Sequence, residues 1–336
     1  MRYKKTTLNI LNNPKLDCLT KKIVFVVGVG RSGTSLTQLL LASHPDITFL
    51  PEINFIRRFA GKNLLTKGCV KDKEQLIRLL LEDEKVQRLP FCYRQEIAES
   101  IRSDNPEKVF LNSILNNEQF SKSNYIGIKD ARLIEHGTTL LNTFKNARIV
   151  HVYRDPRDVL ASKKKAAWSR DNSLWRNLAS GRIQLDAISK TRNSDFSHRL
   201  FDIKYEDLLM APEANLRKLC SFLQIEYTSE MLDFHHNTSG LVFQDEMQYK
   251  KNLLNPLMKN NAGKWKSQLT DFEIIAVEAL FAKELTRFDY QLADFKSPLS
   301  LRQKVQRRWL LTQIKLASLA YQPILNKANA GIGRLR

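Results

Sequence analysis

A continuous apolar, β-branched run from Ile23 to Gly28 leads into the turn-rich GVGRSG of residues 28–33 and then a helical stretch from Thr34 to Ser43. No other feature constrains the chain as much. An apolar run without polar alternation is the mark of a strand covered on both faces, as in a parallel sheet. A strand that passes through glycines into a helix leaves uncapped N–H groups at the helix head, where the dipole also favours an anion. Gly28, Gly30 and Gly33 let the backbone turn sharply and approach a ligand closely. Ser32, Thr34 and Ser35 add hydroxyls, and Arg31 adds a forked cation suited to phosphate or sulfate. The alternative is a tight strand–helix turn whose glycines serve packing only.

A Mg-NTP loop reads GxxxxGK[ST], with lysine after the last glycine. Here Gly33 is followed by Thr34 and the cation has moved to Arg31. That speaks against a P-loop nucleoside or small-molecule kinase using ATP, which stays as the alternative for such a loop.

Further strands are expected at Ile47–Leu50, Tyr125–Ile128, Arg148–Tyr153 and Arg199–Lys204. Helices are expected through Leu133–Phe144, Arg157–Ala167, Leu174–Ser189, Pro212–Leu223 and Thr270–Arg287. Strands alternating with helices predict an α/β, P-loop-containing three-layer fold with a mainly parallel central sheet flanked by helices. The simplest division is one catalytic domain over residues 1–295, including a helical insertion at about 54–124, and a basic helical tail over 296–336. The insertion has the composition of polar helices and would suit a lid or an acceptor-binding element.

A second anion site is suggested by RIVHVYRDPRDVLAS at residues 148–162. Arg154 leaves the C-terminal edge of a buried strand, and Ser162 follows eight residues later on the next helix. Ligands of open α/β sheets bind at that edge, so the two could meet one phosphate. Pairing of Arg154 with Asp155 or Asp158 at the helix start is the competing role.

Together the two segments resemble the sulfotransferase family. GVGRSGTS is similar to its 5′-phosphosulfate loop and VYRDPRDVLAS to its 3′-phosphate motif, in the family's order. RSGT, rather than KSGT, and the following LLLASHPDITFLPE resemble the tyrosylprotein and related bacterial branch. The resemblance implies that 3′-phosphoadenosine 5′-phosphosulfate (PAPS) is the co-substrate, adenosine 3′,5′-bisphosphate the product and a hydroxyl-bearing molecule the acceptor, with no metal. It places Glu52 on the branch's catalytic carboxylate and Lys129 of IKD on its active-site lysine, with Arg31 completing the catalytic set. It also implies that Tyr205 of KYEDLL and Lys264 of GKW contact the nucleotide, beside Gly30, Arg31, Ser32, Gly33, Thr34, Ser35, Arg154 and Ser162. The branch's serine near the transferring group would fall close to Tyr249, and no serine occurs between Gly240 and Lys266. On the residues alone, Glu52 could equally be a capping or salt-bridging carboxylate facing Arg57 or Arg58, and Lys129 a surface lysine.

The formal charge is +19, which favours anionic partners without choosing among them. Nine basic and no acidic residues lie between Lys296 and Arg336, and Leu301, Val305, Trp309, Leu310 and Ile314 there have helical spacing. Packing on the domain is the first expectation for this tail, and peripheral membrane contact the second. No RNP-like aromatic motif points to nucleic acid. His44 and His151 are expected to cap or pack, and Lys163, Lys164 and Lys165 to form a solvated helix face. Cys18, Cys69, Cys92 and Cys220 lack metal spacing and suit free thiols in a reducing compartment. The N-terminal segment has no apolar signal-like core, which predicts a cytoplasmic protein, peripheral at the membrane if the tail makes that contact.

Overall fold

The computed structural model describes residues 22–52, 123–236, 250–294 and 299–330, with isolated positions at 74, 77–78, 81–82, 86–88, 238, 240–243 and 246, and residues 321–330 as backbone only. Cys18, Cys69, Cys92, Arg57, Arg58, Tyr249 and most of the 54–124 insertion lie outside the described residues.

Five strands form one all-parallel sheet: β1 (Lys22–Gly28), β2 (Ile47–Phe49), β3 (Tyr125–Lys129), β4 (Ala147–Tyr153) and β5 (Leu200–Lys204), in the spatial order β2-β3-β1-β4-β5. The apolar runs are the reason. In β1, Ile23, Phe25 and Val27 enter the core layer that holds Leu133, Ile134, Leu178 and Ile188. Val24 and Val26 enter the opposite layer with Leu39, Leu40, Leu208 and Leu219. Period-two side chains that are apolar on both faces need cover on both, and the connecting helices supply it.

Those helices are α1 (Thr34–Ala42), α2 (Gly137–Thr143), α3 (Pro156–Lys163), α4 (Leu174–Arg192), α5 (Tyr205–Met210), α6 (Pro212–Leu223), α7 (Asp271–Leu280), α8 (Ala282–Arg287) and α9 (Leu301–Ala330). Local chemistry sets their starts. Asp155 caps α3 by accepting from the Arg157 N–H, with Pro156 in the first turn. Thr270 and Glu273 close a capping box on α7. The helix expected over Thr270–Arg287 is two pieces, because the chain leaves helical geometry at Phe281, whose ring is buried in the core instead. Leu133–Phe144 is likewise a 3₁₀ segment (Ala131–His136) followed by α2.

Two expectations about charge need correction. Lys163 does not share a solvated face with Lys164 and Lys165: it is buried, donates to the Asn177 carbonyl at 3.3 Å, and is pushed down to about 8 by desolvation. Its position on α3 turns it under α4. Arg157 is the largest fully buried side chain among the described residues. It takes Asp155 at 2.8 Å and Glu278 at 2.6 Å, and lies 4.0 Å over the Trp265 ring. Asp155 is therefore committed to Arg157 and not to Arg154, and this buried ion cluster ties α3 to α7 beside the edge where ligands bind.

Candidate active site

Apart from Ser162, on α3, and Lys264, the candidate residues sit at or just beyond the C-terminal end of a strand. The glycine loop follows β1, Glu52 lies three residues after β2, Lys129 ends β3, Arg154 follows β4 and Tyr205 follows β5. β1 is central, and the chain runs to β2 and β3 on one side and to β4 and β5 on the other. Loops that diverge in this way open a crevice at the switch point.

The loop bends at Arg31, φ 80°, and Gly33, φ 103°. This corrects the assignment of the sharp turn to Gly28 and Gly30. Gly28 matters for close approach, since a Cβ there would lie 2.6 Å from the Val152 carbonyl oxygen. Gly33 caps α1 without any side-chain hydrogen bond, so the first N–H groups of α1 face the crevice. A Cβ on Gly33 would meet the Tyr205 ring at 2.4 Å in a left-handed conformation. Gly33→Ala is therefore expected to weaken adenosine 3′,5′-bisphosphate binding by roughly ten-fold or more, since strain of about 1–3 kcal/mol falls on the ligand-facing turn. Isothermal titration measures this, and unchanged affinity would refute the loop geometry as the binding element.

The second motif meets the first directly. Arg31 Nε donates to Ser162 Oγ at 3.0 Å, and Arg154 Nη1 donates to the Arg31 carbonyl at 3.3 Å. Arg154 Nη2 donates to the Asn261 carbonyl at 2.8 Å, and the guanidinium lies 4.6 Å over the Tyr205 ring. Asp158 is 3.8 Å from Arg154. Its stronger bonds are to the N–H groups of Gly263, at 2.7 Å, and Trp265, at 2.9 Å, so it anchors the GKW segment over the crevice. Asn261 completes the group: its amide donates to Tyr205 Oη at 2.7 Å, and its oxygen accepts from Lys264 Nζ at 2.7 Å. Arg31, Arg154, Ser162, Asn261 and Lys264 line one cleft of about 340 Å³. An adjoining cavity of about 120 Å³ is lined by Arg31, Gly33, Thr34, Ser35, Arg154, Tyr205 and Lys250.

A carboxylate and two lysines form the third part. Glu52 accepts from Lys129, which is buried and so is no surface lysine. Lys250 lies 3.9 Å from Glu52 and donates to the buried Glu246 at 2.8 Å, and Glu246 is held in turn by Arg88 at 3.3 Å. Desolvation and then the nearby Lys129 charge push Lys250 down to about 8.

Sequence reasoning missed Lys250, Asn261 and Asp158. The first two lie in a stretch without periodicity or motif. Asp158 was visible only as a partner for Arg154, because its backbone targets are more than a hundred residues away. The donor set suits a doubly phosphorylated nucleotide: Ser32 Oγ and Arg154 Nε are buried at the two motifs without hydrogen-bond partners among the described residues. Buried donors left in that state cost about 1–3 kcal/mol each unless something accepts from them.

Comparison with known proteins agrees with this architecture. The profile described as "Sulfotransferase family" matches residues 24–229, more than half of the chain. Protein-tyrosine sulfotransferase 1 of Danio rerio is 22% identical over 288 residues, covering 83% of this chain and 75% of that protein. Protein-tyrosine sulfotransferase of Drosophila melanogaster is 22% identical over 255 residues, covering 74% of this chain but only 47% of that protein. Among solved structures, the sulfotransferase domain from the curacin biosynthetic pathway superposes with a TM-score of 0.56 at 18% identity, over 81% of this chain and 99% of that one. This last likeness establishes the fold, and the profile establishes more: the chain belongs to the sulfotransferase family.

Proposed function

We propose that this chain transfers the sulfuryl group of PAPS to an acceptor hydroxyl on a sugar, lipid, peptide or small molecule. The observation that supports it most is that the uncapped head of α1, Arg31, Arg154 and Ser162 line adjoining cavities, beside the Glu52–Lys129 pair. Gly30 to Ser35 would hold the 5′-phosphosulfate, and Arg154 with Ser162 the 3′-phosphate. Tyr205 and Lys264 would flank the nucleotide. The co-substrate supplies an activated S–O bond. As the acceptor oxygen bonds to sulfur, the bond from sulfur to the bridging 5′-phosphate oxygen breaks, and its electron pair leaves with adenosine 3′,5′-bisphosphate. Glu52 takes the acceptor proton. Lys129 and Arg31 stabilise the charge on the transferring oxygens and the leaving phosphate.

Lys250 fits the same task as a third cation, facing Glu52, Glu246 and Lys129. Below about pH 8 its amine is charged, and above that it is neutral. The expected kcat/KM for the free enzyme therefore falls as pH rises through about 8. Lys250→Met should lose that limb and about 10²-fold in rate at neutral pH. A profile identical to that of the unsubstituted chain would exclude Lys250 from the reaction.

Thermal unfolding separates this reading from an ATP-dependent kinase. Adenosine 3′,5′-bisphosphate at a hundred times its Kd should stabilise the chain by about 2.7 kcal/mol without metal. Mg-ATP should leave the transition where it is. The reverse result would favour the kinase.

A further inference from the structure

The described residues contain ten large apolar side chains that are exposed, and five of them lie on α9: Leu301, Val305, Trp309, Leu316 and Leu319, 58–79% exposed. At 3.6 residues per turn these five fall within about 80° of one another, so they form one stripe. The opposite side of α9 is committed to the domain. Leu310 and Ile314 are buried in the main core, and Ser318 Oγ donates to Asp186 on α4 at 2.7 Å. The tail thus packs on the domain and still presents a second apolar face outward.

Charge says what that face meets. Arg308, Lys315 and Lys304 border the stripe on one side and Arg302 on the other, all four exposed. No acidic residue occurs from Lys296 to Arg336. A second copy seated on the stripe would bring two rows of like charge together, because a two-fold interface matches a patch with itself. An apolar stripe carrying a tryptophan and edged by cations matches an anionic lipid surface, with the side chains in the acyl boundary and the cations among the headgroups. Among the described residues no helix is long and apolar enough to cross a membrane, so this contact lies in the surface plane. We propose that α9 docks the protein onto anionic membranes through Leu301, Val305, Trp309, Leu316 and Leu319.

The test is flotation of the full chain with vesicles of phosphatidylcholine alone, or of equal parts phosphatidylcholine and phosphatidylglycerol, at low and high salt. The chain is expected to float with the anionic vesicles only, and less at high salt. Trp309→Ser combined with Leu316→Ser should lower partitioning by roughly ten-fold or more. Arg308→Gln and Lys315→Gln should each lower it by about five-fold. These side chains are exposed, so the unfolding temperature and adenosine 3′,5′-bisphosphate affinity should stay put, which separates lost docking from lost fold. Failure to float with anionic vesicles at low salt would overturn the proposal. So would equal flotation of the double variant, or a dimer in solution that the double variant abolishes.

Discussion

Glu52→Gln is expected to lower the transfer of radiolabelled sulfuryl from PAPS to acceptors in a host extract by about 10²–10⁴-fold, the usual contribution of a positioned general base. The amide keeps the size and hydrogen-bonding reach of the side chain but cannot take a proton. Two effects compete. Glu52 is the partner of the buried Lys129 and lies near Lys250, so neutralising it leaves two ammonium groups facing each other in a poorly solvated place. Breaking a buried pair costs about 3–5 kcal/mol of stability when one charge is left uncompensated. Here Glu246 still holds Lys250, and Glu52 is partly exposed, so the loss of stability should be smaller. The two effects are told apart by adenosine 3′,5′-bisphosphate, which needs the folded loop but not the base. Its affinity should change little while turnover collapses. Turnover equal to that of the unsubstituted chain would remove Glu52 from the role.

Arg154→Ala is expected to weaken adenosine 3′,5′-bisphosphate by roughly 30- to 1,000-fold, because truncating one side of a buried charged pair costs about 2–4 kcal/mol. The loss should be selective. Adenosine 5′-phosphosulfate, which has no 3′-phosphate, should lose no more than about three-fold if Arg154 acts at that group. Arg154 also donates to the carbonyls of Arg31 and Asn261 and lies over Tyr205, so a purely structural role would weaken both ligands alike. Arg154→Lys supplies a further control. It restores charge without the planar fork, so partial recovery toward the 3′-phosphate ligand is expected. Calorimetric titration of both ligands against the three proteins decides the matter, and equal losses would contradict the assignment.

The strands and the anion loop were readable in the chain because their causes are local. Ile23–Val27 can be satisfied only where both faces are covered, and a glycine loop opening a helix presents donors wherever it is placed. All five strands fall where the apolar runs predicted them, within a residue or two at their ends. The remaining features depend on residues that meet only after folding. Lys163 looked like one of three solvated lysines, yet α4 covers it. Glu52 had Arg57 and Arg58 near in sequence, but it pairs with Lys129, 77 residues away, because β2 and β3 are neighbours in the sheet. Lys250 and Asn261 carried no pattern at all.

By itself, then, the order of residues determined the parallel sheet, the donor-rich loop after its first strand and the basic character of the last helix. Those follow from periodicity, backbone freedom and charge, which act over a few residues. Only the tertiary structure decided which charges face one another at the crevice and which side of α9 stays in solvent. Coulombic pairing and burial are set by distance in space, and the fold makes that distance independent of separation along the chain.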